Sequence, residues 1–148
     1  GGGGFASRLM DEVRDKRGLA YGVYAYLAVR DETALYLGAV QTANERMAES
    51  LEIIKAEWAR MAAEGITAEE LDRAKRYLTG AFPLRFDSNA KIANYLVFMQ
   101  EENLGIDYLE RRNDLIRAVT LEDVKRVAAR LLKPDELSIV VAGQPAGL

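Results

Sequence analysis

The chemistry open to this chain is set first by two residue types it lacks. Its 148 residues include no histidine and no cysteine. A zinc site built on imidazole or thiolate is therefore impossible from its own side chains, and so is a Ser-His-Asp or Cys-His nucleophile. Carboxylates are plentiful, but none fall into an EF-hand loop. The glycines Gly1, Gly2, Gly3 and Gly4 lack the Lys-Ser/Thr ending of a phosphate-binding loop. What remains is one pair of polar side chains. Arg14 lies near the end of a helical pattern, and Tyr21 near the start of an extended one. A helix–turn–strand connection of that length can bring both to one edge of a sheet. There a guanidinium binds a carboxylate or carbonyl, and a phenol donates to developing negative charge. The plain alternative is a solvated arginine and a half-buried strand tyrosine. The glycine run reads either as a mobile loop bordering a substrate channel or as a linker.

The elements that must position this pair emerge from periodicity. Phe5, Leu9, Met10 and Val13 share one helical face, so residues 5–16 read as an amphipathic helix stopped at Gly18. Residues 19–29 and 34–42 read as two strands joined by the polar Arg30-Asp31-Glu32-Thr33, an antiparallel hairpin. Gly22 and Gly38 inside them signal bulges or close backbone approach. Met47, Leu51, Ile54, Trp58 and Met61 form an apolar stripe, read as core, on a helix over residues 44–63. Thr67 with Glu70 has the form of a capping box. Further helices fall at residues 88–102, 107–118 and 120–132, the last capped by Thr120 with Asp123. Phe82, Leu84 and Phe86 read as packing a kinked connector, and the pairs Lys75-Arg76 and Arg111-Arg112 as solvated faces. Residues 137–142, LSIVVA, read as a closing strand.

Helices gathered in one block rather than alternating with strands give an α+β fold: a mostly antiparallel sheet with helices packed on one face. Residues 1–148 read as a single domain lacking its N-terminal part. The net charge is −3, with 20 basic and 23 acidic residues interspersed, and this excludes the clustered basic face of a nucleic-acid binder. No apolar run reaches the roughly 18 residues that span a bilayer, so a soluble protein of the bacterial cytoplasm or periplasm is expected.

Three stretches carry a resemblance. GGGGFASRLMDEVRDKRGLAYGVYAY joins a glycine-rich loop, a Phe-x-Ser-Arg-Leu helix opening and an Arg-x6-Tyr spacing; ITAEELDRAKRYLTGAFPLRFDS and the final LSIVVAG come after it in order. Together they resemble the C-terminal, metal-free homologous domain of M16 (pitrilysin-type) zinc peptidases. The resemblance implies a clamshell of homologous domains, in one chain or two subunits. One half carries zinc on a His-x-x-Glu-His motif; the other supplies an Arg/Tyr pair toward peptide substrate. Arg14 and Tyr21 match that pair, and Gly1 to Gly4 match the loop bordering the substrate chamber. The implied partner is a zinc-bearing M16 domain or subunit, with zinc there and no cofactor in this chain. The chain alone is then expected to be inactive. A related expectation is a non-catalytic scaffold subunit of the same fold. A sheet edge left unprotected also makes a homo-oligomer possible.

Overall fold

A computed structural model describes residues 7–30 and 32–147. Along them run a π-helix (Met10–Asp15), strands β1 (Ala20–Val29) and β2 (Ala34–Thr42), and a 3-10 turn (Asn44–Arg46). Helices α1 (Met47–Glu64), α2 (Ala68–Gly80), α3 (Asn89–Glu101), α4 (Tyr108–Ala118) and α5 (Leu121–Leu131) come next, with 3-10 turns at Pro83–Arg85 and Pro134–Glu136. The α+β class expected from the sequence is the one observed. Two compact units divide the chain: residues 1–63 with 129–148, and residues 64–128.

The first unit is built on the hairpin. β1 and β2 pair antiparallel from Val29 opposite Ala34 to Ala20 opposite Thr42. At its tip the Arg30 N–H donates to the Thr33 carbonyl at 2.8 Å. Successive side chains alternate between faces, so Val23 and Val40, Ala25 and Gly38, and Leu27 and Tyr36 form cross-strand pairs on one face. There Leu9, Val13, Leu19, Ala20, Val23 and Ala25 form the buried core, with Ile53 and Ile54 of α1 packed against it. Farther along, the Tyr36 ring lies 5.4 Å from that of Trp58 on α1. The π-helix and α1 thus cover one face of the hairpin. Gly38 eases the close approach of the two strands: a Cβ there would stand 3.0 Å from the Tyr24 carbonyl of β1. On the opposite face Tyr24, Tyr26, Leu35 and Leu37 are exposed.

Three expectations are corrected in this unit. Residues 137–142 form no strand. An apolar run supplies β-propensity, but a strand exists only where a ladder partner accepts it, and among the described residues the sheet has two strands. The segment leaves Val140 96% exposed and is fastened beyond it, where Gln144 and Ala146 donate backbone N–H bonds to the side chain and carbonyl of Asn44. The stripe on α1 is only half-buried; the residue fully buried there is Ser50. The first helix is wound as π over Met10–Asp15 rather than as α.

The second unit begins where Gly65, at φ +74°, stops α1. The capping box forms as expected: the Glu70 N–H donates to Thr67 Oγ1 at 3.1 Å and the Thr67 N–H to Glu70 Oε2 at 2.8 Å. Thr120 and Asp123 make the same reciprocal pair ahead of α5. Phe82, Phe86, Tyr95 and Phe98 pack ring to ring, with successive centroids 5.1 to 5.6 Å apart. Leu84, by contrast, is 75% exposed, because the 3-10 turn steers it away from the two phenylalanines. Two of the basic residues read as solvated have structural partners. The Arg112 guanidinium lies 3.9 Å from the centre of the Phe82 ring, and Lys75 Nζ donates to the Arg117 carbonyl at 2.7 Å. Among the described residues no helix is long and apolar enough to cross a membrane.

Candidate substrate-binding groove

The groove is framed by the end of the π-helix. The Lys16 N–H donates to the Asp11 carbonyl, five residues back, at 2.9 Å. Next the Gly18 N–H reaches the Arg14 carbonyl at 2.8 Å and the Leu19 N–H the Val13 carbonyl at 2.9 Å. These are the two closing bonds of a Schellman end, each spanning one residue more than it would after an α-helix. Gly18, at φ +59°, supplies the left-handed residue such an end requires.

Ion pairs fasten this turn. The Glu12 carboxylate accepts from Arg17 at 2.5 Å and Lys16 at 2.7 Å, and Lys16 also reaches Asp11 at 2.7 Å. The Arg17 hydrogen bond, and then that of Lys16, hold the Glu12 carboxyl down at about 2. Asp11 and Glu12 in turn raise the Lys16 ammonium.

The strand side carries a second irregularity. Ala20 pairs with Thr42, but Gly22 pairs with Gln41, which leaves Tyr21 as the extra residue of a β-bulge. The bulge expected near Gly22 is therefore present. Counting back from the buried Ala25 and Val23, strict alternation would turn Tyr21 into the core. The bulge puts Ala20 there instead, and Tyr21 is 85% exposed. It is not the half-buried strand tyrosine of the plain alternative.

Two hydrogen bonds tie the turn to the far end of β2 and the 3-10 turn after it. Thr42 Oγ1 donates to the Leu19 carbonyl at 2.5 Å, and Arg46 Nη1 donates to the Gly18 carbonyl at 2.7 Å. Between them lies an open groove of about 670 Å³, with residues 18–21 along one wall and Gln41, Thr42, Ala43 and Arg46 along the other.

Of the expected site residues, Tyr21 stands on the groove wall. Arg14 sits on the last turn of the π-helix, half-buried, with its Nε 3.9 Å from an Asp15 carboxylate oxygen. Its backbone carbonyl holds Gly18, so it is joined to the groove through the main chain. Gly1, Gly2, Gly3 and Gly4 lie outside the described residues. Sequence reasoning missed Arg46. The hairpin itself signals it: pairing Ala20 with Thr42 must bring the residues just past β2 beside Gly18. Among the described residues no three carboxylates stand close enough to hold a metal ion.

Residues 2–78 match the family described as the peptidase M16 inactive domain. The crystal structure of a peptidase M16 inactive domain from Pseudomonas fluorescens matches with a TM-score of 0.79 and 38% identity, over 92% of this chain and 32% of that one. A protease from Helicobacter pylori shares the fold, with a TM-score of 0.72 and 24% identity over 89% of this chain and 32% of its own. An uncharacterized zinc protease of Streptomyces coelicolor is 32% identical over 94% of this chain and 30% of its own length. A non-peptidase homolog of Helicobacter pylori is 38% identical over 83% and 28%. The chain belongs to the peptidase M16 family, as an inactive domain of that family. It spans about 30% of the length of the first of these relatives.

Proposed function

We propose that this chain is the substrate-holding, metal-free half of an M16 zinc peptidase, which acts on peptide bonds together with a zinc-bearing domain or subunit. On this reading residues 1–148 are one C-terminal domain. Tyr21 donates its phenolic O–H to the peptide oxygen that gains negative charge. Arg14 orients a substrate carbonyl or the tyrosine itself, and Gly1 to Gly4 border the substrate path. Zinc in the partner supplies Lewis-acid polarisation of the scissile carbonyl. This chain's contribution is to bind, orient and donate.

The observation that carries this reading is the pair of one-residue insertions around one turn. A π-widened helix end and a β-bulge both recur at functional sites. Here they flank the open groove and hold Tyr21 outward, although an ordinary strand would bury it. Polar donors aimed at developing charge can dominate catalysis.

The test is reconstitution. Mixed with a zinc-bearing homologue, the chain should confer peptide hydrolysis that neither component shows alone. Tyr21→Phe should lower kcat/KM by about 100- to 1000-fold, the usual cost of one lost oxyanion donor. An unchanged kcat/KM would remove Tyr21 from the mechanism.

A second reading, that of a non-catalytic scaffold subunit, is favoured by the name of the Helicobacter pylori relative, a non-peptidase homolog at 38% identity. It requires stable assembly with the zinc-bearing half and no gain in hydrolysis. Pairing of two copies through the outer edges of the two-stranded sheet would instead show as a dimer in sedimentation of the chain alone.

A further inference from the structure

We propose that Arg46 makes the Tyr21 groove a carboxylate-binding subsite, which selects extended peptides carrying an acidic side chain. The proposal deepens the substrate-holding reading and rests on it.

The groove's polar groups are unevenly spent. Two carbonyls on its wall, those of Gly18 and Leu19, already accept from Arg46 and Thr42. What the groove still offers outward is one group that can only donate, the Arg46 guanidinium, beside two that can donate or accept. Tyr21 O–H and the Gln41 amide line it and make no hydrogen bond among the described residues. Arg46 spends one N–H on Gly18 and retains the rest of a five-donor fork.

Charge points the same way. Lys16 and Arg17, on the preceding turn, are neutralised by Asp11 and Glu12. Arg46 forms no ion pair among the described residues, although Glu45 and Glu49 are its near neighbours in sequence. Among the described residues the groove therefore ends in a guanidinium that no carboxylate pairs. Because the Gly18 carbonyl already fixes the guanidinium, little further side-chain freedom is lost when a carboxylate docks on its open edge. Tyr21 and Gln41 are placed to take the backbone of the same peptide.

Fluorescence polarisation on this chain tests the idea with three labelled peptides of one sequence. The first has a central Glu and an amidated C-terminus, the second a central Gln and the same amide, the third the Gln and a free C-terminus. The Glu peptide should bind roughly fivefold tighter than the amidated Gln peptide, the upper range for a partly exposed ion pair. The preference should fade in high salt. Arg46→Gln should abolish it, read as the ratio of the Glu to the amidated Gln affinity within the variant, and Arg46→Lys, which keeps the charge, should retain part of it.

Equal affinity for the first two peptides, a Glu preference that survives Arg46→Gln, or no binding by a natively folded chain would each overturn the proposal. A free C-terminus preferred over the Glu side chain would overturn the side-chain source. If Arg46→Gln fails to fold, the salt dependence of the Glu preference in the unaltered chain decides.

Failure of the two readings can be told apart. Hydrolysis that falls with Tyr21→Phe but ignores Glu against Gln would keep the substrate-holding role and remove the acidic preference. An Arg46-dependent Glu preference without reconstituted hydrolysis would do the reverse.

Discussion

Alanine at Gly18 and alanine at Gly80 should move stability in opposite directions. At neither position would an added Cβ meet another atom within 4 Å. Steric clash is therefore equal at the two sites, and backbone conformation alone decides the sign. Gly18 sits at φ +59°, a region that costs an L-residue roughly 1–2 kcal/mol. Alanine recovers about 0.4–1 kcal/mol by stiffening the unfolded chain. The net loss is about 1 kcal/mol if the turn holds. It grows by about another 1 kcal/mol for each hydrogen bond lost if the turn relaxes, and three are at risk: the Gly18 N–H to the Arg14 carbonyl, the Leu19 N–H to the Val13 carbonyl and Arg46 to the Gly18 carbonyl.

Gly80 is the last residue of α2, and the helix closes past it through the Ala81 N–H to the Tyr77 carbonyl at 2.9 Å. Alanine there should add about 0.5–1 kcal/mol through helix propensity. Urea unfolding with an unchanged slope would read both shifts. Trp58, the lone tryptophan, reports on the first unit, and far-ultraviolet circular dichroism on the helices. Gly18→Asn should recover about half the loss, since asparagine tolerates the left-handed region. If Gly18→Ala proved neutral or stabilising, the left-handed closure would not exist, and the widened turn that frames the groove would fall with it.

Two further changes test the same unit. The folded pKa of Glu12, about 2, lies below its ordinary 4.5, so its stabilisation is whole above pH 4.5 and disappears as the pH falls toward 2. Glu12→Gln should cost about 1 kcal/mol near neutrality, discounted because its cationic partners are half exposed and screened, and should flatten the acid limb of a stability–pH profile; an unchanged limb would refute the pairing. Ser50 is fully buried and its Oγ has no hydrogen-bond partner among the described residues, so Ser50→Ala should raise Tm, by about 1 kcal/mol in stability. A fall in Tm would show that the hydroxyl is satisfied.

What could be read from the sequence was whatever depends on neighbours a few positions away. Both hairpin strands begin and end within a residue of where alternation and the polar Arg30–Thr33 link put them. Thr67 with Glu70 and Thr120 with Asp123 marked helix starts because capping is satisfied within one turn. What escaped depends on distant partners. LSIVVA has the composition of a strand, yet pairs with neither β1 nor β2. Arg112 looks like a surface charge until Phe82 is brought beneath it. Arg46 looks like the polar start of a helix until the hairpin returns it to Gly18.

The Arg14–Tyr21 pair shows why spacing alone could not settle the site. Seven positions separate the two residues, and the direction of each side chain is decided by an inserted residue: Gly22 signals a bulge or close approach in the strand, and nothing in the sequence flags the insertion in the helix. One residue of a helix turns a side chain by about 100°, so a single π step re-aims Arg14 relative to an α-helical count. One residue of a strand reverses the face entirely, so the bulge alone decides whether Tyr21 is core or groove. With neither insertion, alternation counted back from Val23 would bury Tyr21. With both, the phenol is presented to solvent and the Arg14 carbonyl anchors the turn beneath the groove. Each device interrupts a regular hydrogen-bond ladder, and the structure compensates each one locally, with the Glu12 ion pairs on the helix side and with Thr42 and Arg46 on the strand side. An irregularity that serves packing alone needs no such open face. Here both lead to one exposed phenol on a groove that also carries the Arg46 guanidinium, unpaired with any carboxylate among the described residues, and the proposed recognition of a polar, extended ligand rests on that arrangement.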